Sequence, residues 1–197
     1  MRIIVVTGGI GSGKSLASGI LSKEFGWPVY EADSRVKGLY GSDPHLLDDI
    51  ETDLGLSLRD QTGVFMAGRL AEVIFSDPDA LAKVEQRVFP ALERDFREWA
   101  SAQDADTVVF ESATVLEKPQ FDGFGDMTVV VDAPFEMRLE RAMRRDGADR
   151  EKVLQRMNAQ KLMNDVSAGH DDPRIDIKVV NDGDVGQLRD RLVEIFG

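Results

Sequence analysis

Gly8-Gly9-Ile10-Gly11-Ser12-Gly13-Lys14-Ser15 sets glycines, a lysine and a hydroxyl at the spacing G-x-x-x-x-G-K-[ST]. Glycine lets a backbone take positive φ and approach a polyphosphate closely, so that successive N–H groups form a nest for anionic oxygens. A helix beginning near Lys14 adds the positive end of its dipole. On this reading Lys14 bridges the β- and γ-phosphates as a point charge, and the Ser15 hydroxyl holds Mg²⁺. The motif predicts a nucleoside triphosphate site contacted by Gly9, Gly11, Ser12, Gly13, Lys14, Ser15 and Leu16.

Transfer of a phosphoryl group needs positive charge where negative charge develops. Residues 138–161 supply it with Arg138, Arg141, Arg144, Arg145, Arg150, Lys152, Arg156 and Lys161. Arg138, Arg141 and Arg145 recur at i, i+3 and i+7, which sets them along one helix face able to meet phosphates. Asp146-Gly147-Ala148-Asp149 interrupts the cluster as a helix–turn–helix, the form expected of a lid over residues 134–163 that excludes water. The other reading is a solvated face compensated by Glu136, Glu140, Asp146, Asp149 and Glu151.

Two carboxylates fall at predicted strand ends. Asp33 either orients an acceptor hydroxyl and takes its proton late, holds a Mg²⁺-bound water, or caps the helix that follows. Glu111 either binds the Mg²⁺ water shell or accepts hydrogen bonds from the glycine loop. His45 and His170 lie in polar surroundings and read as surface residues.

The elements that position these groups alternate. The β-branched run Ile3-Ile4-Val5-Val6 reads as the first strand, and Ser15 to Phe25 as a helix closed by Gly26 and Pro28. Pro28-Val29-Tyr30 is a short second strand, residues 107–111 a third, 127–132 a fourth and 175–181 a fifth. Residues 34–105 show helical periodicity without a buried strand and read as an insertion covering the acceptor side. Within it Ser76-Asp77-Pro78-Asp79 starts a long helix that Pro90 is expected to kink or break. Strands alternating with helices predict an α/β protein of the P-loop NTPase fold, with a five-stranded parallel sheet flanked by helices, a helical insertion and a helical lid.

A length of 197 residues fits one such domain spanning residues 1–197. A net charge of −12 argues against a broad grip on nucleic acid or an anionic membrane, so no nucleic-acid or membrane partner is expected. The absence of cysteine rules out disulfides, thiolate metal sites and thiol catalysis. No signal peptide fits a start that is already a strand, and no apolar run approaches the ~18 residues of a membrane helix. A cytoplasmic protein is expected, a monomer or small homo-oligomer acting on a small-molecule acceptor.

Over nearly its whole length the chain resembles the dephospho-CoA kinase family, whose members transfer the ATP γ-phosphoryl group to the ribose 3′-hydroxyl of dephospho-CoA. The resemblance rests on Thr7-Gly8-Gly9-Ile10-Gly11-Ser12-Gly13-Lys14-Ser15, on Gly68-Arg69-Leu70 followed by Ile74-Phe75-Ser76-Asp77-Pro78, and on Val130-Val131-Asp132-Ala133-Pro134 with the lid pattern through Gln160. It implies ATP and Mg²⁺ as cofactors, and Asp33 as catalytic base in Glu31-Ala32-Asp33, where the family has Asp-Ala-Asp. It implies Lys14 and Arg141 at the transferring group, Arg145 beside the nucleotide, Ser15 and Glu111 at the metal, and Asn181 and Gly183 of Asn181-Asp182-Gly183 near the adenine. Departures gather on the acceptor side. Phe89-Pro90 stands where the family usually has His-Pro, and Glu111-Ser112-Ala113-Thr114-Val115-Leu116-Glu117 where it typically reads Asp-x-Pro-Leu-Leu-Phe-Glu. The alternatives are a divergent nucleoside or nucleotide monophosphate kinase and a non-catalytic ATP-binding protein.

Overall fold

In the computed structural model, which describes residues 1–197, five strands form one sheet: β1 (Arg2–Thr7), β2 (Val29–Glu31), β3 (Thr107–Glu111), β4 (Met127–Asp132) and β5 (Ile177–Val180). Their order is β2-β3-β1-β4-β5 and every pairing is parallel. A parallel strand covered on both faces reads as a continuous apolar run, which is why Ile4, Val5 and Val6 are all buried in succession. The chain divides into two compact units, residues 1–31 with 104–197 and residues 32–103.

In the first unit, Ile4 and Val6 of β1 join Val109, Val129, Val131 and Val179 on one sheet face. They pack against Ala17, Ile20 and Leu21 of α1 (Lys14–Phe25) and Leu188 and Leu192 of α9 (Val185–Phe196). Phe25, Trp27 and Phe196 close the edge of this core, the first two stacked at 4.8 Å. On the opposite face Phe110 packs against Tyr30, Phe121 and Phe124. After β4 come α6 (Phe135–Asp146), α7 (Arg150–Ala159) and α8 (Lys161–Ser167). Leu139, Ala142, Val153 and Met157 form a small core between α6 and α7.

The second unit contains the helices α2 (Ala32–Ser42), α3 (Pro44–Leu54), α4 (Ala67–Ser76) and α5 (Pro78–Ser101) around Leu46, Leu47, Ile50, Leu58, Leu70, Val84 and Val88. Asp77 caps α5 by accepting from the N–H groups of Asp79 and Ala80, with Pro78 in the first turn. The expected break at Pro90 does not occur: α5 runs through it for 24 residues. Val84, Val88, Ala91, Leu92 and Phe96 are buried on both sides of the proline. At about 1.5–3 kcal/mol for each large side chain, that burial outweighs a cost of about 3 kcal/mol for an internal proline.

Candidate active site

Strand β1 ends at Thr7 and α1 begins at Lys14, so the glycine loop spans the gap between a buried strand and a helix N-terminus. Gly13, the N-cap, has φ 97°, and a Cβ there would lie 2.2 Å from Asn181 Nδ2. Gly11 has φ 76° and lies so close to α6 that a Cβ would be 2.0 Å from the Arg138 carbonyl oxygen. No side chain caps α1, and the N–H groups of Gly11, Gly13, Lys14, Ser15 and Leu16 have no acceptor in the protein. Unsatisfied donors gathered at a helix N-terminus make an anion-binding concavity.

The cavity at the loop has a volume of about 190 Å³ and is bordered by Gly9, Gly11, Gly13, Lys14, Ser15, Leu16, Arg141 and Arg145. The structure thus gathers these residues, predicted as nucleotide contacts from distant parts of the chain, around one space. Ser12 is fully buried below them.

At the far end of the loop, Ser15 Oγ donates to Glu111 Oε1 at 2.6 Å. Glu111 ends β3, which pairs directly with β1, and is 6% exposed while Ser15 is open to solvent. A hydroxyl and a carboxylate are hard oxygen donors that suit Mg²⁺, which keeps several waters and takes its other ligands from phosphate. No group of three or more His, Asp or Glu side chains forms a metal cage.

The arginines of α6 do not act as one row. Arg141 Nη1 donates to the Asn181 carbonyl at 3.1 Å and forms no ion pair, which leaves the rest of its guanidinium for the cavity. Arg145 is exposed and chelates Asp146, which also accepts from Arg156 of α7. Arg138 departs from the expectation that it meets phosphate. It is 1% exposed, donates through Nε to the Ile10 carbonyl at 3.1 Å and through Nη1 to Ser167 Oγ at 2.9 Å, and stands 3.7 Å from Asp132. Burial pulls its guanidinium below the usual arginine range, with Asp132 opposing the shift.

Asn181, expected near the adenine, spends its side-chain amide on the loop, donating to the Ser12 carbonyl at 2.8 Å. Gly183 lies against Gln187, with a Cβ position 1.8 Å from Gln187 Oε1. Gln160 was legible as part of the lid pattern but not as a loop contact, yet its Oε1 accepts the Ile10 N–H at 2.8 Å. The burial of Leu139 and Ala142 on α6 is the signal that separates Arg138, on the covered side, from Arg144 and Arg145.

The remaining expected residues are placed by their own elements. Asp33 is the second residue of α2 and is exposed, so it belongs to the first turn of a helix and not to the strand end. Phe89 is half-buried on α5, while Ser112 is buried and Thr114 exposed beyond β3. Glu117 has one buried carboxylate oxygen without a partner, and burial pushes its carboxyl above the ordinary range. His45 and His170 are both exposed.

A parallel sheet of order 2-3-1-4-5, with a glycine loop between its central strand and first helix and arginines beside that loop, defines a P-loop kinase. The chain belongs to the dephospho-CoA kinase family, whose model matches residues 2–184. It is 41% identical over 160 residues to the dephospho-CoA kinase of Porphyromonas gingivalis, covering 81% of this chain and 78% of that protein. It is 34% identical over 187 residues to the dephospho-CoA kinase of Bacteroides fragilis strain ATCC 25285, covering 92% of this chain and 85% of that one. Among solved structures, TT1252 from Thermus thermophilus superposes with a TM-score of 0.81 at 30% identity, over 100% of this chain and 98% of the other.

Proposed function

We propose that the protein phosphorylates the ribose 3′-hydroxyl of dephospho-CoA with ATP, giving CoA and ADP. The observation that carries the reading is the 190 Å³ cavity, which joins acceptor-free loop amides, Lys14 and Arg141 within a chain of this family. The loop amides and Lys14 hold the β- and γ-phosphates, and Arg141 with Arg145 stabilises charge on the transferring group. Asn181 and Gly183 contact the nucleotide, and Asn181 also braces the Ser12 carbonyl. Ser15 and Glu111 would hold Mg²⁺, which when bound would supply positive charge against that of the phosphates.

Asp33 orients the acceptor hydroxyl and takes its proton. In a loose transition state the hydroxyl becomes acidic only late, so an ordinary carboxylate suffices as the base. We assign residues 34–105 to the acceptor and residues 134–163 to the lid. ATP is a cytoplasmic metabolite, and we place the enzyme there with it.

A second reading, a kinase of nucleosides or nucleoside monophosphates, is favoured by Phe89 and by Ser112-Ala113-Thr114, where the family pattern differs. A panel of acceptors assayed for ADP release with Mg-ATP separates the two. Dephospho-CoA should give turnover far above the ATP-only background, and turnover confined to a nucleoside or nucleotide would favour the second.

A further inference from the structure

Ile10 stands within the glycine loop, yet all of its bonding groups are held by the helical segment after β4. Its N–H donates to Gln160 Oε1 at 2.8 Å, and its carbonyl accepts from Arg138 Nε at 3.1 Å. Its side chain packs against the core of Leu139, Ala142, Val153 and Met157. Both polar partners are themselves buried, Gln160 at 8% and Arg138 at 1% exposure. Arg138 is fixed in turn by Ser167, whose hydroxyl donates to Asp132 at 2.8 Å.

The need for such a brace follows from the loop's composition. A peptide flanked by Gly9 and Gly11 is among the most conformationally free that a chain can contain. An anion nest works only while its N–H groups share one concavity. Preorganised donors also stabilise developing charge better than donors that must turn toward it during the reaction. We infer that Arg138 and Gln160 are positioning residues for phosphoryl transfer, clamping the Ile10 peptide from both sides so that the loop is set for nucleotide and moves as one body with α6.

Arg138 has a second role in the same place. Its Nη2 is buried without a hydrogen-bond partner, and a Cβ on Gly9 would lie 2.2 Å from it, so the guanidinium sits directly behind the loop backbone. A desolvated cation there adds fixed positive potential beneath the phosphates, where little water screens it. The close approach also requires that position 9 have no side chain.

The inference rests on the reading of the loop as an ATP cradle, and calorimetric ATP binding with steady-state kinetics on the full chain tests it separately from that reading. Gln160→Met keeps the side chain's length and removes the acceptor. It should weaken ATP binding and raise KM for ATP by about tenfold, with a native melting temperature and a KM for the acceptor changed less than about twofold. Gln160→Glu, which keeps an acceptor oxygen, should bind ATP more tightly than Gln160→Met. Arg138→Lys, which keeps the charge and loses the fork, should fall between wild type and Arg138→Met. If the Arg138 variants fail to fold, the Gln160 pair decides alone. Wild-type affinity in Gln160→Met, or equal loss toward both substrates, overturns the inference while leaving the loop reading intact. A wild-type protein that binds no ATP overturns both.

Discussion

Ser15 Oγ donates a 2.6 Å hydrogen bond to Glu111 Oε1, joining the end of the phosphate loop to the end of the neighbouring strand β3. The bond fixes the Ser15 hydroxyl and gives the buried Glu111 carboxylate a partner. Removing the carboxylate's charge should loosen the metal. Glu111→Gln is expected to raise the Mg²⁺ concentration for half-maximal activity by about tenfold or more, as loss of an outer-sphere partner typically does. A Mg²⁺ titration at saturating ATP measures this, and EDTA should abolish turnover in both proteins.

Asp33 and Lys14 should separate binding from chemistry. Asp33→Asn removes a base but no nucleotide contact, so kcat should fall by about 10²–10⁴-fold with ATP affinity unchanged. Lys14→Ala removes a charge that both ground and transition states use, and should weaken ATP binding as well as turnover. Equal turnover in Asp33→Asn would remove Asp33 from the reaction.

Arg141 is tethered through one nitrogen to the Asn181 carbonyl and has no carboxylate partner. Arg141→Ala should lower kcat by about 10²–10³-fold, the scale of losing one transition-state donor. Arg141→Lys should recover only part of this, because an ammonium cannot keep the tether and face the phosphate at once.

Hydrogen bonds from Arg145 and then Arg156 hold the Asp146 carboxyl well below its ordinary value of 3.8. A carboxylate depressed on folding stabilises the protein fully above its unfolded pKa, and that contribution is lost as pH falls through the folded value. Asp146→Asn should therefore melt below wild type at pH 7, with the gap closing as the pH drops from about 4. These ion pairs are largely exposed, so the gap should be about 1 kcal/mol or less and should shrink in high salt.

Legibility in the sequence followed the locality of the interactions. The loop, the helix after it and the alternating strands depend on neighbours in the chain, and Gly8 to Ser15 together with Ile3 to Val6 announced them. The parallel sheet followed from that alternation, but its strand order did not, because order is set by which faces must be covered. Sequence alone makes Ser15 and Glu111 metal candidates, while their hydrogen bond depends on β3 pairing beside β1. Helical spacing places Arg138 with Arg141 and Arg145, and only the packing of α6 buries it. A break at Pro90 is absent for a related reason, since apolar contacts along the whole of α5 outweigh the local cost of proline. The resemblance implies Asn181 near the adenine, whereas the amide's hold on the Ser12 carbonyl is visible only in the fold.

The position of the new phosphate decides between the two acceptors. The purified chain incubated with Mg-ATP and dephospho-CoA, with the product followed by mass spectrometry and phosphorus NMR, tests it most directly. A single new phosphomonoester on the ribose 3′-oxygen, formed in step with ADP, is expected. Dephospho-CoA left unchanged while a nucleoside or nucleotide acceptor is phosphorylated would contradict it.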